Sequence, residues 1–126
     1  MSAARHRRSV RTESAYPRSL RVNEVLRQIV AEEIERLADA DERLRLVTVT
    51  SVATSPDTRR ATVYVGTLTE DAAVALEERR AQLQRSIGAQ VRMKRTPRLR
   101  FEADPAVSAG ARVEEVLRRL GRTDPP

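Results

Sequence analysis

The stretch that organises the chain is RRAQLQRSIGAQVRMKRTPRLR, from Arg79 to Arg100. It carries eight cationic side chains and no aspartate or glutamate. The eight are Arg79, Arg80, Arg85, Arg92, Lys94, Arg95, Arg98 and Arg100. The 126-residue chain has a net charge of +6, and without these eight it keeps 16 of its 24 Lys and Arg against 18 Asp and Glu. A block of one sign between mixed-charge flanks is typical of a surface that binds a polyanion, most often nucleic acid.

The same stretch also contains the boundary between a helix and a strand. Thr69 is the expected N-cap of a helix whose apolar spacing continues to Ile87. Gly88 predicts a helix break, because glycine inside a helix costs about 1 kcal/mol relative to alanine. A short second helical piece, residues 89–95, is expected to follow and to stop before Pro97, because the residue before a proline is pushed towards β geometry. The alternation of residues 98–102 then predicts a third strand.

Upstream, the pattern predicts a helix followed by two strands. Apolar residues at i, i+3, i+4 and i+7 predict an amphipathic helix over 19–38, and residues 39–45 form a polar connection. The β-branched segment 46–55 predicts a strand with Val47 and Val49 on its buried face. Residues 60–67 predict its hairpin partner, since Ser55-Pro56-Asp57 between them is a turn signal.

The two ends of the chain differ from this central domain, for which we expect residues 18–104. Residues 1–17 have little apolar surface to offset the entropy of ordering and predict a disordered basic arm. Its cations Arg5, Arg7, Arg8 and Arg11 either contact phosphates or are simply solvated. Residues 105–121 predict a C-terminal helix with Gly121 at the C′ position, followed by a tail at 122–126.

Composition weighs against several classes of function. The chain has no cysteine, and its one histidine, His6, lies in the predicted arm, so neither a metal site nor a histidine-centred catalytic group is expected. No GxxxxGK[ST] motif is present, so we expect no NTPase activity and no cofactor. Two tyrosines and one phenylalanine are too few for the stacking platforms of RRM or OB modules. No segment has the length and hydropathy of a membrane span, which indicates a soluble cytoplasmic protein. We also expect no small-molecule ligand.

The predicted order αββααβ, with a three-stranded sheet packed by helices and an added C-terminal helix, is the layout of an α+β, KH type II-like domain. The usual KH contact with phosphates uses a GxxG loop between the two adjacent helices. This chain has no GxxG, because its four glycines are widely spaced.

Longer segments carry a more specific resemblance. The segments RVNEVLRQIVAEEI, VTVTSVATSPD running into ATVYVGTL, RSIGAQVRMKRTPRLRFEAD, and SAGARV with VEEVLRRL follow one another between residue 19 and about residue 120. In this order they resemble the bacterial ribosome-binding factor A family, a group of KH-like cold-shock and ribosome maturation factors. The resemblance implies a monomeric, non-catalytic protein that binds the small (30S) ribosomal subunit and 16S rRNA late in assembly. It also implies a role in processing the 5′ region of that rRNA.

The chain departs from the family pattern at one place. The family replaces GxxG by an Ala-x-Gly kink, which would align here with Arg79-Arg80-Ala81, so the helix is expected to bend elsewhere, at Gly88, or to bend less. Arg92, Lys94 and Arg95 are the strongest candidates for RNA contacts, whereas Arg79 and Arg80 could serve packing instead. The alternative function is a protein-interaction adaptor that docks an acidic partner through the same basic patch.

Overall fold

The computed structural model describes residues 18–123, which adopt an α+β fold with one 3₁₀ turn. In chain order the elements are α1 (Arg18–Leu37), the 3₁₀ turn (Glu42–Leu44), β1 (Val49–Thr54), β2 (Arg60–Val65), α2 (Glu70–Gln90), β3 (Arg98–Ala103) and α3 (Pro105–Thr123). The expected α+β class, with a three-stranded sheet and a C-terminal helix, is confirmed. The predicted basic arm, residues 1–17, and the end of the predicted tail, residues 124–126, lie outside the described residues.

The first helix, α1, forms where its apolar spacing predicts it. Leu26, Ile29, Val30 and Ile34 occupy one face and are buried against the sheet and α2. Near the start of α1, the side-chain oxygen of Asn23 accepts hydrogen bonds from the backbone N–H and the hydroxyl of Thr54, at 3.0 and 2.8 Å. These two bonds fix the beginning of α1 at the end of β1.

The strand β1 contains a β-bulge that the alternating sequence does not reveal. Val49 pairs with Val65 and Ser51 pairs with Tyr64, so Thr50 is the extra residue on β1. Val49 is buried as expected, but the bulge shifts the phase of the strand, and the next buried residue is Val52. A bulge of this kind bends its strand and re-aims the side chains near it.

The turn between β1 and β2 follows its predicted chemistry. The carbonyl of Ser55 accepts a hydrogen bond from the N–H of Thr58 at 2.8 Å, and the hydroxyl of Ser55 lies 2.7 Å from Oδ1 of Asp57. Thr58 has a φ of 56°, in the left-handed region that β-branched residues rarely adopt. The turn therefore holds one residue in a strained backbone conformation.

The third strand, β3, is parallel to β2, with a register that runs from Arg60 beside Arg98 to Val65 beside Ala103. Parallel strands begin at the same edge of a sheet, so the β1–β2 turn and the entry into β3 lie at one end of the molecule. The crossover helix α2 packs against α1 and β3 and covers one face of the sheet. The expected third strand is confirmed, with Leu99 buried beneath α2.

The helix α2 is continuous from Glu70 to Gln90, so the predicted break at Gly88 is wrong. The second helical piece expected over 89–95 does not form, and residues 91–97 are irregular. Gly88 keeps a helical backbone, and a Cβ there would lie 3.0 Å from the hydroxyl oxygen of Thr96. The glycine therefore allows the returning chain to approach the helix closely, while buried Leu83 and Ile87 hold this part of α2 against the core despite the low helix propensity of glycine.

The C-terminal helix α3 begins at a well-defined cap. Oδ1 of Asp104 accepts a hydrogen bond from the N–H of Ala106 at 2.8 Å, and its Oδ2 accepts one from the hydroxyl of Thr50 at 2.5 Å. These bonds lower the pKa of Asp104. The helix continues to Thr123, so Gly121 is not the C′ residue that we expected. Its larger apolar side chains remain about half exposed, at 57% for Val113 and 60% for Leu117.

Candidate nucleic-acid interface

Three of the eight cations between residues 79 and 100 have carboxylate partners. Arg79 lies 3.6 Å from Asp41. Arg80 donates to Glu77 at 2.7 Å, and Nε of Arg100 lies 2.9 Å from Glu102. The positive charges of these three arginines are therefore partly compensated within the protein.

The other five cations have no such compensation. They are exposed, and none lies within 4.0 Å of a carboxylate oxygen in residues 18–123. The five are Arg85, Arg92, Lys94, Arg95 and Arg98. Exposed cations without carboxylate partners are available to phosphates without first breaking an internal ion pair.

The loop between α2 and β3, residues 91–97, is held by its apolar side chains. Val91 and Met93 pack against the core, and Pro97 is buried. The side-chain oxygen of Gln84, on α2, accepts a hydrogen bond from the N–H of Leu99 at 2.9 Å, which fixes the exit of the loop. Because the apolar residues point inward, Arg92, Lys94 and Arg95 are presented outward from an anchored backbone.

Two arginines at the start of β2, Arg59 in the turn and Arg60 on the strand, lie beside Arg98 and were not among the site residues predicted from the sequence. Arg60 is the register partner of Arg98, and the carbonyl of Arg59 accepts the N–H of Arg98 at 2.8 Å. Arg60 is exposed and has no carboxylate oxygen within 4.0 Å in the described part of the chain, while Arg59 pairs with Asp57 at 3.8 Å. The hydroxyl of Ser55 and, to a smaller extent, the charges of Arg59 and Arg60 lower the pKa of Asp57. No local sequence pattern could have shown that Arg60 lies beside Arg98. Their adjacency depends on the parallel pairing of β2 with β3, and a 21-residue helix separates these strands in the chain.

A network beside the 3₁₀ turn explains why Arg79 differs from the loop cations. Arg43 donates two side-chain hydrogen bonds to the carboxylate of Asp41, at 2.9 and 2.7 Å, and one to Glu78 at 2.8 Å. The hydrogen bonds from Arg43, with a smaller effect of Arg79, lower the pKa of Asp41 to about 2. Asp41 is only 7% exposed, so its ionised carboxylate depends on these partners. Arg79 thus contributes to the contact between the 3₁₀ turn and α2.

A second buried carboxylate joins the two long helices. Glu33 on α1 accepts hydrogen bonds from Arg36 and from Gln82 of α2. Burial raises the pKa of Glu33, but the hydrogen bonds from Arg36, Ser86 and Gln82 outweigh it and leave the pKa below its ordinary value. This contact helps to fix α2, and with it the start of the basic loop.

Other kinds of site find no support in residues 18–123. That part of the chain contains no group of three or more metal-ligating side chains placed to share an ion. None of its helices is long and apolar enough to cross a membrane. His6 and the arm cations Arg5, Arg7, Arg8 and Arg11 lie outside the described residues.

The model of one protein family, ribosome-binding factor A, matches residues 18–117. The chain belongs to the ribosome-binding factor A family. A member from Rubrobacter xylanophilus is 40% identical over 112 residues, which cover 85% of this chain and 90% of the relative. A member from Halorhodospira halophila is 40% identical over 108 residues, covering 81% and 85% of the two chains.

Solved structures of the family share the fold. The crystal structure of ribosome-binding factor A from Thermus thermophilus is 36% identical, with a TM-score of 0.62 over 68% of this chain and 94% of that chain. A model of the Thermus thermophilus protein fitted into an electron cryo-microscopy map of its complex with 30S is 36% identical, with a TM-score of 0.56 over 66% of this chain and 91% of that chain. The resemblance that the sequence segments indicated is confirmed.

Proposed function

We propose that the protein is a non-catalytic assembly factor that binds the small (30S) ribosomal subunit through 16S rRNA late in maturation and aids processing of the 5′ region. The observation that carries this proposal is the group of five cations without carboxylate partners on the loop 91–97 and the elements beside it. The family match supports the same function, and a Thermus thermophilus relative has been fitted into a map of its 30S complex.

The chemistry of the patch favours phosphates over bases. A guanidinium presents planar hydrogen-bond donors that match phosphate oxygens, and the loop carries Arg92 and Arg95 in this role. Tyr64 and Phe101 are the aromatic residues of the described chain, both lie on strands, and Phe101 packs against the core. Recognition should therefore depend on charge and the shape of folded rRNA, with a steep loss of affinity as salt rises.

Binding to purified 30S subunits tests the proposal directly. The protein should co-sediment with 30S subunits in a sucrose gradient and protect 16S rRNA nucleotides from nuclease. Reversing the charge at Arg92 and Arg95 should abolish both signals while the circular dichroism spectrum stays unchanged. Arg112→Glu, which reverses an exposed charge on α3, is the control. Co-sedimentation without any protected nucleotide would instead indicate a protein adaptor with an acidic partner.

The role in maturation needs a cellular test. Cells that lack the protein should accumulate 16S precursors with unprocessed 5′ ends, and the wild-type chain should restore processing. The variant reversed at Arg92 and Arg95 should fail to restore it at equal protein levels. Normal 16S processing in the deletion strain would refute the role in 5′ processing. Binding to the 30S subunit would then still be tested by sedimentation.

The predicted basic arm is proposed as an auxiliary contact. Removing residues 1–17 deletes Arg5, Arg7, Arg8 and Arg11 together, and if they contact phosphates the affinity for 30S should become less dependent on salt. An unchanged salt dependence would show that the arm is only solvated.

A further inference from the structure

Two unpaired arginines lie side by side at the end of the sheet. Arg60 on β2 and Arg98 on β3 are directly paired in the parallel register. Their chain neighbours Ala61 and Leu99 are buried, so Arg60 and Arg98 point away from the core, onto the open face of the sheet. The two guanidinium groups therefore extend from adjacent strands in the same direction.

This pairing is electrostatically unfavourable in the isolated protein. Like charges directly opposite each other in a sheet destabilise it. Within residues 18–123, neither arginine lies within 4.0 Å of a carboxylate oxygen. The next pair on the same face, Thr62 and Arg100, differs, because it has a single arginine and Nε of Arg100 lies 2.9 Å from Oε2 of Glu102. The chain thus gives Arg100 an ion pair and Arg98 none, while Arg60 has only the longer-range attraction of Asp57.

The backbones of both arginines are fixed. The N–H of Arg60 donates to the hydroxyl of Ser55 at 3.1 Å, and its carbonyl accepts the N–H of Ser55 at 2.8 Å. The N–H of Arg98 donates to the carbonyl of Arg59 at 2.8 Å. The two side chains can adjust, but their points of attachment cannot separate without breaking these bonds and the sheet ladder.

We propose that Arg60 and Arg98 form a clamp for a phosphate of the RNA backbone, a subsite on the sheet that extends the contact made by the loop 91–97. This inference rests on the proposed function, since it supplies the polyanion. Two guanidinium groups on neighbouring strands can both donate to one phosphate, whose negative charge removes the repulsion between them. Binding at this subsite relieves an unfavourable contact of the free protein.

The clamp predicts that one substitution raises the melting temperature of the free protein and also weakens its binding to 30S subunits. Arg60→Gln and Arg98→Gln each remove one member of the repelling pair, so the melting temperature of the free protein should rise by about 1–4 °C at low salt. The gain should shrink in about 1 M NaCl, where the charges are screened. The same variants should bind 30S subunits about tenfold more weakly, with a salt slope lower by about 0.7–0.9.

Arg100→Gln is the matched control, because it removes one positive charge from the same sheet face but breaks an ion pair. It should leave the melting temperature unchanged or slightly lower and reduce affinity less than the other two variants. A lower melting temperature for both Arg60→Gln and Arg98→Gln, or wild-type affinity for 30S in both, would overturn the clamp.

A second measurement separates failure of the clamp from failure of the proposed function. Sodium pyrophosphate, compared with NaCl at equal ionic strength, should raise the melting temperature of the wild-type chain more than that of Arg60→Gln. If the wild-type chain does not bind 30S but shows this difference, the proposed function fails and the anion clamp stands. Equal stabilisation of the two proteins by pyrophosphate would refute the clamp even if 30S binding is confirmed.

Discussion

Replacing Arg92, Lys94 and Arg95 by glutamine removes three of the five cations without carboxylate partners and lowers the net charge from +6 to +3. Each lost phosphate contact should lower the slope of log affinity against log salt by about 0.7 on single strands and about 0.9 on duplex. The slope for 30S binding should therefore fall by about 2 to 3. If each charge-assisted hydrogen bond contributes about 1.5 kcal/mol, the affinity should fall by a factor on the order of 10³.

The fold should tolerate this triple substitution. The three side chains are exposed, whereas the loop is anchored by residues that the substitutions leave in place, Val91, Met93 and Pro97. Surface substitutions without partners usually change the free energy of unfolding by less than about 0.5 kcal/mol each. Thermal unfolding should therefore separate loss of binding from loss of structure.

The same stretch provides a control with equal charge. Replacing Arg79, Arg80 and Arg100 by glutamine also lowers the net charge from +6 to +3, but each of these arginines has a carboxylate partner. This variant should keep most of the salt slope, because its arginines already interact within the protein. It should lose some stability, up to about 1 kcal/mol for each of the exposed pairs of Arg80 and Arg100, and a further amount from the loss of Arg79 beside the buried carboxylate of Asp41.

The assay is a sedimentation titration with purified 30S subunits at several salt concentrations, read for wild type and both triple variants. Equal losses of slope in the two variants would mean that net charge, and not the unpaired cations, determines binding. A larger loss in the variant at Arg79, Arg80 and Arg100 would refute the assignment of the site to the loop.

Three further predictions concern stability. The free energy of unfolding of Asp41→Asn, measured by denaturant unfolding, should fall less than that of wild type between about pH 5 and pH 2. The reason is that the pKa of Asp41 is about 2 in the folded chain and about 3.9 in the unfolded chain. As the pH falls through this range, the unfolded wild-type chain therefore binds more protons than the folded chain, and wild type loses stability that the variant does not have. Gly88→Ala should gain up to about 1 kcal/mol of helix propensity only when Thr96→Ala removes the hydroxyl 3.0 Å from the new Cβ, as a double-mutant cycle would show. Thr58→Asn should stabilise the turn by about 0.5–1 kcal/mol, because asparagine tolerates a φ of 56° better than threonine does.

Each of these predictions has a clear contrary result. Identical acid unfolding of wild type and Asp41→Asn would mean that the carboxylate does not need its ionised form. Equal effects of Gly88→Ala with and without Thr96→Ala would show that the hydroxyl does not restrict the helix. A loss of stability in Thr58→Asn would show that the threonine contacts matter more than its backbone strain.

The elements that local patterns specify were predictable from the sequence. Apolar spacing located α1 within a residue at each end, and Ser55-Pro56-Asp57 located the turn between β1 and β2. Gly88 shows the limit of this reasoning. Its propensity predicts a break, but the close approach of Thr96 makes glycine suitable inside an intact helix. A contact with a residue eight positions away in the chain, made by a loop of irregular conformation, has no periodic signal.

The candidate site could be proposed from the sequence as a block of charge, but the spatial arrangement of its cations could not. Eight cations without a carboxylate can be read from the sequence, yet which of them have partners depends on distant residues. Arg79 meets Asp41 because the 3₁₀ turn packs on α2. Arg60 joins Arg98 because β3 returns parallel to β2. Both relations are set by tertiary structure, so neither could follow from spacing along the chain.

The continuity of α2 has a consequence for how the protein can bind RNA. A KH domain with a glycine loop brings bare backbone close to phosphates, but here the helix passes through both Arg79–Ala81 and Gly88 without interruption. The nearest irregular backbone, residues 91–97, is anchored by buried side chains and presents cations outward. In the proposed complex, guanidinium and ammonium groups at the ends of long side chains would therefore make the contacts with phosphates. Under the proposed function such contacts would carry little base specificity and depend strongly on salt, so the shape of the folded rRNA would determine where the protein binds.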